Sequence, residues 1–149
     1  MPVDLVRRAT GRKFSSRRLK QIGHALLQFA GQADAELSVA LIGDAEMQKL
    51  NARYRQKNYA TDVLSFPAAQ NLPAPARLLG DVIISIDKAA AQAKQRGHSL
   101  DLEIVTLLIH GVIHLLGYDH EQSARQARLT TRLEKKMARR LCDLGLLKI

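Results

Sequence analysis

Residues His110 to His120 read HGVIHLLGYDH, and the apolar residues Leu107, Leu108, Ile109, Val112, Ile113, Leu115 and Leu116 surround the predicted helix nearly completely. A helix that is apolar on almost every side belongs inside a core. His110 and His114 are four apart, so on that helix they stack one turn apart and can aim two imidazole nitrogens at a common point. Gly117 tolerates a left-handed backbone, which ends the helix and turns the chain back. His120 then follows within reach of the same point. Three imidazoles at a helix end, with a fourth position open, suit one borderline ion such as Zn2+ in a catalytic rather than a closed structural site. A lone histidine in an apolar helix is more often a satisfied core residue. The third histidine and the glycine turn make the metal site the expectation.

The spacing His-x-x-x-His-x-x-Gly-x-x-His is also that of metzincin peptidase ligands, whose general base is a Glu directly after the first histidine. Gly111 stands at that position, and no other acid lies inside the helix turn. Hydrolysis of something other than a peptide is therefore expected.

At 149 residues the chain fits one domain, 1–149, with a real core. Its 46% hydrophobic content argues against disorder. With 23 basic against 14 acidic residues the net charge is +9, which favours a polyanionic partner such as RNA, DNA or anionic lipid. A single cysteine, Cys142, makes no internal disulfide and points to a reducing compartment. No apolar run reaches the roughly 18–20 residues that span a bilayer, so no membrane partner is expected. The N-terminal segment has Asp4 as its one acid beside Arg7, Arg8, Arg12, Lys13, Arg17, Arg18 and Lys20, a balance that a transit peptide would share. Apolar periodicity begins by Leu19, however, and favours a cytoplasmic location.

Taken in order, Ser15 or Ser16 can cap a helix with Leu19, Ile22, Leu26 and Phe29 on one face and Gly31 at its end. Glu36 to Ile42 alternates like a strand, and Asp44 is the expected cap of a second helix whose buried stripe is Met47, Leu50 and Tyr54. Arg53, Arg55 and Lys57 follow, and basic residues at the end of an element can grip phosphate. Val63 to Phe66 reads as a short strand ended by Pro67. Asn71 to Arg77, with Pro73 and Pro75, reads as a connection. Leu79 to Ser85 is a strand carrying Asp81, Ser85 caps an alanine-rich helix, and Ser99 starts the histidine helix. The last helix, from about Ser123 to Leu141, has Leu129, Leu133, Met137 and Leu141 as its core stripe. Another of its faces carries Arg125, Arg128, Arg132, Lys136 and Arg139, a candidate RNA contact as well as an ordinary solvated face. Val3, Leu5 and Val6 signal a further strand. The order predicts an α+β fold in which a small mixed β-sheet is covered by helices, with the metal-binding helix central.

Three segments, LNARYRQKNYATDVLSFP, LGDVIIS and HGVIHLLGYDHE, together resemble the YbeY family of bacterial metal-dependent endoribonucleases. The resemblance runs from Leu50 to Glu121. It implies a zincin-like fold, a metal held by His110, His114 and His120, and an endoribonuclease, preferring single strands, in ribosomal RNA processing. Maturation of the small-subunit RNA at its 3′ end and ribosome quality control are the implied roles, with the small ribosomal subunit as partner and no DNA. Arg55 matches the family's functional arginine in the YRxK segment, where it would stabilise charge growing on the phosphate. The chain departs from the family at Asn58 and Ala60, where Asp and Pro are common, and in its basic tail. Asp119 and Glu121, beside the third histidine, are candidate partners of the ligands or proton acceptors. Two other classes stay open: an RNA-binding ribosome-assembly factor with a structural metal, and a metallopeptidase.

Overall fold

The structure, a computed structural model, describes residues 3–7, 15–57, 61–68, 78–119 and 122–148. The elements are β1 (Val3–Arg7), α1 (Ser16–Phe29), β2 (Glu36–Ile42), α2 (Asp44–Arg55), β3 (Val63–Pro67), β4 (Leu78–Ser85), α3 (Ile86–Arg96), α4 (Leu100–Leu115) and α5 (Ala124–Asp143). The four strands form one sheet in the order β1-β2-β4-β3, parallel except for β3, which runs antiparallel on the edge. This is the expected mixed sheet covered by helices, and β1 is the strand signalled by Val3 and Leu5. Among the described residues no single helix is long and apolar enough to cross a membrane.

Strand alternation decides what each face covers. Leu37, Val39 and Leu41 of β2 and Val82 and Ile84 of β4 enter the main core with Leu19, Ile22 and Leu26 of α1 and Leu108, Val112 and Ile113 of α4. Burying each of these large side chains contributes about 1.5–3 kcal/mol. On the opposite face Ala40, Ile42, Ile83, Leu64 and Phe66 pack with Met47 and Leu50 of α2. Tyr54 does not join that stripe. Its ring is 55% exposed and meets Phe66 edge-on, with the ring centroids 5.2 Å apart.

The helix starts follow local chemistry with one exception. Ser15, Ser85, Ser99 and Ser123 each cap a helix by accepting a backbone N–H. For α2 the cap position is Gly43, and Asp44 is already helical, so its own side chain does not cap. A carboxylate from α3 serves instead: the Asp44 N–H donates to Asp87 Oδ2 at 2.9 Å, while Ser85 Oγ donates to Asp44 Oδ1 at 2.7 Å. The turn from α3 into α4 is held by Glu103, whose side chain is fully buried. Arg96 Nη1 and His98 Nε2 each lie 2.6 Å from one of its two oxygens. A buried carboxylate needs such partners, which gives His98 a structural place.

Two glycines set how closely α4 lies on the sheet. A Cβ at Gly111 would sit 2.6 Å from Val82 Cγ1 and 3.1 Å from Ser65 Oγ. At Gly80, whose φ is +147°, a side chain would run into the Phe66 carbonyl and Leu115. The Ser65 hydroxyl uses the closeness at Gly111, donating to the Gly111 carbonyl at 3.3 Å. Gly111→Ala gains about 1 kcal/mol of helix propensity but overpacks at a cost of about 1–3 kcal/mol, because Val82 is stiff about χ1. A net loss of up to about 2 kcal/mol in urea denaturation is expected. Combined with Val82→Ala, the loss should be clearly smaller than the sum of the two single losses. Simple additivity would mean that Val82 is not what Gly111 accommodates.

Candidate active site

The histidine helix is buried against the sheet and α1, but not on all sides. Thr106 and His110 are half-buried and His114 is exposed, four residues apart along a single line of α4. The expected core helix is thus borne out with one polar edge left uncovered. Packing covers the other sides of α4 and leaves this one polar edge open, where an imidazole keeps its hydration or takes a ligand. The helix then ends as the Gly117 reading requires. Gly117 has φ +98°, its N–H donates to the His114 carbonyl at 3.0 Å, and the Tyr118 N–H donates to the Ile113 carbonyl at 3.3 Å. This pair of bonds fixes the direction in which the chain leaves the helix. Asp119 is half-buried and its N–H donates to Gln126 Oε1 at 3.5 Å, leading into α5.

A side chain from α5 reaches the open edge. Oε1 of Glu134 lies 3.2 Å from Nδ1 of His110, the side chains being 29% and 40% exposed. Met137 and Leu141, buried in the main core, lock the α5 face that carries Glu134 against the body. The sequence reading missed this contact. Its signal was present, since Glu134 is the one acid between Glu121 and Asp143 in a run rich in Arg and Lys.

Among the described residues no three His, Cys, Asp or Glu side chains converge as a metal group. The third expected ligand, His120, lies outside the described residues, as do Glu121, Asn58, Ala60, the Pro73 and Pro75 segment, Arg8, Arg12 and Lys13. Arg55 is the last residue of α2 and is exposed, as are Arg53 and Lys57. Cations here also complement the helix C-terminus. The Arg53 guanidinium lies 5.4 Å from the Tyr54 ring centroid, a cation–π contact. The end of α2 is tied to the histidine helix through the edge strand: Tyr54 meets Phe66 on one face of β3, and Ser65 bonds Gly111 on the other. Asp81 is exposed on the strand beside Val82, and alternation turns it away from α4. Arg125, Arg128, Arg132, Lys136 and Arg139 are all exposed along α5.

A family model described as Endoribonuclease YbeY matches residues 6–141. A relative from Anaeromyxobacter sp. (strain Fw109-5) named Endoribonuclease YbeY is 46% identical over 125 residues, 84% of this chain. The match spans 64% of that relative's length. A second, from Aquifex aeolicus and of the same name, is 39% identical over 87% of this chain and 86% of its own length. The solution structure of TM1509 from Thermotoga maritima matches with a TM-score of 0.65 at 22% identity, covering 96% of this chain and 91% of that one. That last likeness supports the mixed α+β fold.

Exposed side chains contribute little to the stability of the metal-free fold. His114→Ala and Arg55→Ala are therefore each expected to leave the stability of chelator-treated protein within about 0.5 kcal/mol of wild type in denaturant melts. A loss of several kcal/mol in His114→Ala would put that ring in the core after all.

Proposed function

The chain belongs to the YbeY family, and on that premise we propose that it is a metal-dependent endoribonuclease with a preference for single-stranded RNA. Its proposed place is the cytoplasm, where it processes the 3′ end of the small-subunit ribosomal RNA and serves ribosome quality control, with that subunit as partner. The observation that carries this reading is the paired display of His110 and His114 on the one open line of an otherwise buried helix.

The donor set fits a single Zn2+. Nδ1 of His110 lies beside Glu134, so Nε2 is the ring nitrogen that would hold the ion. His114 stands one turn further on, and His120 would complete the three. When bound, the ion supplies Lewis acidity toward a phosphoryl oxygen and a lowered pKa for water. The remaining work belongs to the side chains. Arg55 offers a planar fork to a phosphate and stabilises the charge that grows on it. Arg53 and Lys57 hold the neighbouring backbone, and the exposed cations of α5 extend the grip along the strand. A peptidase is disfavoured because the position of its general base is Gly111, pressed on Val82 with no room for even a Cβ.

Precursor small-subunit rRNA, free and in assembled particles, provides the test. Wild type should cleave it, His114→Ala should not, and Arg55→Ala should be slower by about 10²–10³-fold. RNA binding should persist in both variants. RNA and metal binding without cleavage by wild type in either form, with His114→Ala unfolded, would assign the metal to bracing a binding factor. Replacing Arg128 and Arg132 together with Ala should lower the slope of log affinity against log salt by about 1.4 if each meets one phosphate of a single strand. An unchanged slope would remove α5 from the RNA interface.

A further inference from the structure

From the contact between α5 and α4 we infer that Glu134 is a positioning residue for His110, fixing which imidazole nitrogen faces a bound metal ion. The inference rests on the metal-site reading above. A neutral imidazole carries its proton on one nitrogen and its lone pair on the other, and the partner of the N–H decides which. An ionised carboxylate accepts hydrogen bonds only. Glu134 Oε1 lies 3.2 Å from Nδ1, and its negative charge there favours the proton on Nδ1 and the lone pair on Nε2. It also holds the ring in one orientation.

The setting of Glu134 on its own helix argues against an ordinary surface role. Helical ion pairs form between residues three or four apart. The residues at those distances from Glu134 are Thr130, Thr131, Met137 and Ala138, none of them a cation. In a helix dense with Arg and Lys, the one internal acid thus stands where no basic neighbour on α5 is spaced to pair with it, and faces His110 instead. Both side chains are partly shielded, which strengthens their interaction compared with open water.

The test uses the full chain with zinc as the probe. Zinc affinity is measured by competition with a chromophoric chelator, and the His110 tautomer of the metal-free protein is read from ring nitrogen NMR shifts. Wild type should bind one zinc and show the Nδ1–H tautomer. Glu134→Ala should bind zinc about 10–100-fold more weakly and lose the tautomer preference. Glu134→Gln removes the charge and can turn either its oxygen or its NH2 group toward Nδ1, so it should bind zinc several-fold more weakly than wild type. Wild-type zinc affinity and an unchanged tautomer in Glu134→Ala would overturn the inference and leave the metal site standing. Should that variant not fold, Glu134→Gln decides: weakened binding supports the role, and wild-type affinity overturns it. Failure of wild type itself to bind zinc would overturn the metal-site reading and the inference together.

Discussion

The close approach of α4 to the sheet at Gly111 is the constraint on which the site depends. Val82 and Ser65 occupy the space a side chain would need, so the helix can lie at this depth only with glycine there. Such depth buries Leu108, Val112 and Ile113 and leaves Thr106, His110 and His114 along one uncovered line. The histidines are thus presented by a rigid element whose position is set by core packing, which is how a ligand site gains precision. The glycine also replaces the acid that a peptidase of the same histidine spacing would need. One small residue therefore bears on both the fold and the chemistry.

The edge strand β3 carries that precision outward. Its alternation gives Ser65 to α4 and Phe66 to α2, so the two elements bearing His110 and Arg55 are referenced to one short strand. Asp62, just before β3, secures its start by accepting from the Val63 N–H at 2.8 Å and from Gln92 of α3 at 3.2 Å. A site assembled this way is sensitive to residues that never touch substrate. Ser65, Phe66 and Asp62 all lie in the LNARYRQKNYATDVLSFP segment, one of the three that carry the family resemblance.

What could be read from the sequence was what is local. The period of α4, its Ser99 cap, the Gly117 turn and the alternation of β2 and β4 follow from residues a few positions apart, and the structure agrees with them. The relations that escaped are between distant segments. Asp44 looked like its own cap, yet Asp87 from another helix supplies the oxygen. Tyr54 has the spacing of a core residue, yet it is exposed at the end of α2 and only its edge contact with Phe66 ties it to the sheet. The near-continuous apolar surround predicted a core helix, which the structure bears out except along the edge of Thr106, His110 and His114. Glu134 stands out as an isolated acid, but only the packing of α5 on α4 names His110 as its partner.

The central claim is that the metal at the histidine edge serves catalysis and not the integrity of the fold. It is tested most directly by returning zinc stepwise to chelator-stripped protein while RNA cleavage and the folded fraction are followed in the same sample. The account predicts a stripped protein that is folded and inactive, with cleavage rising to a plateau at one equivalent of zinc. A stripped protein that cleaves RNA as well as the loaded one, or that regains its fold only as zinc is added, would contradict it.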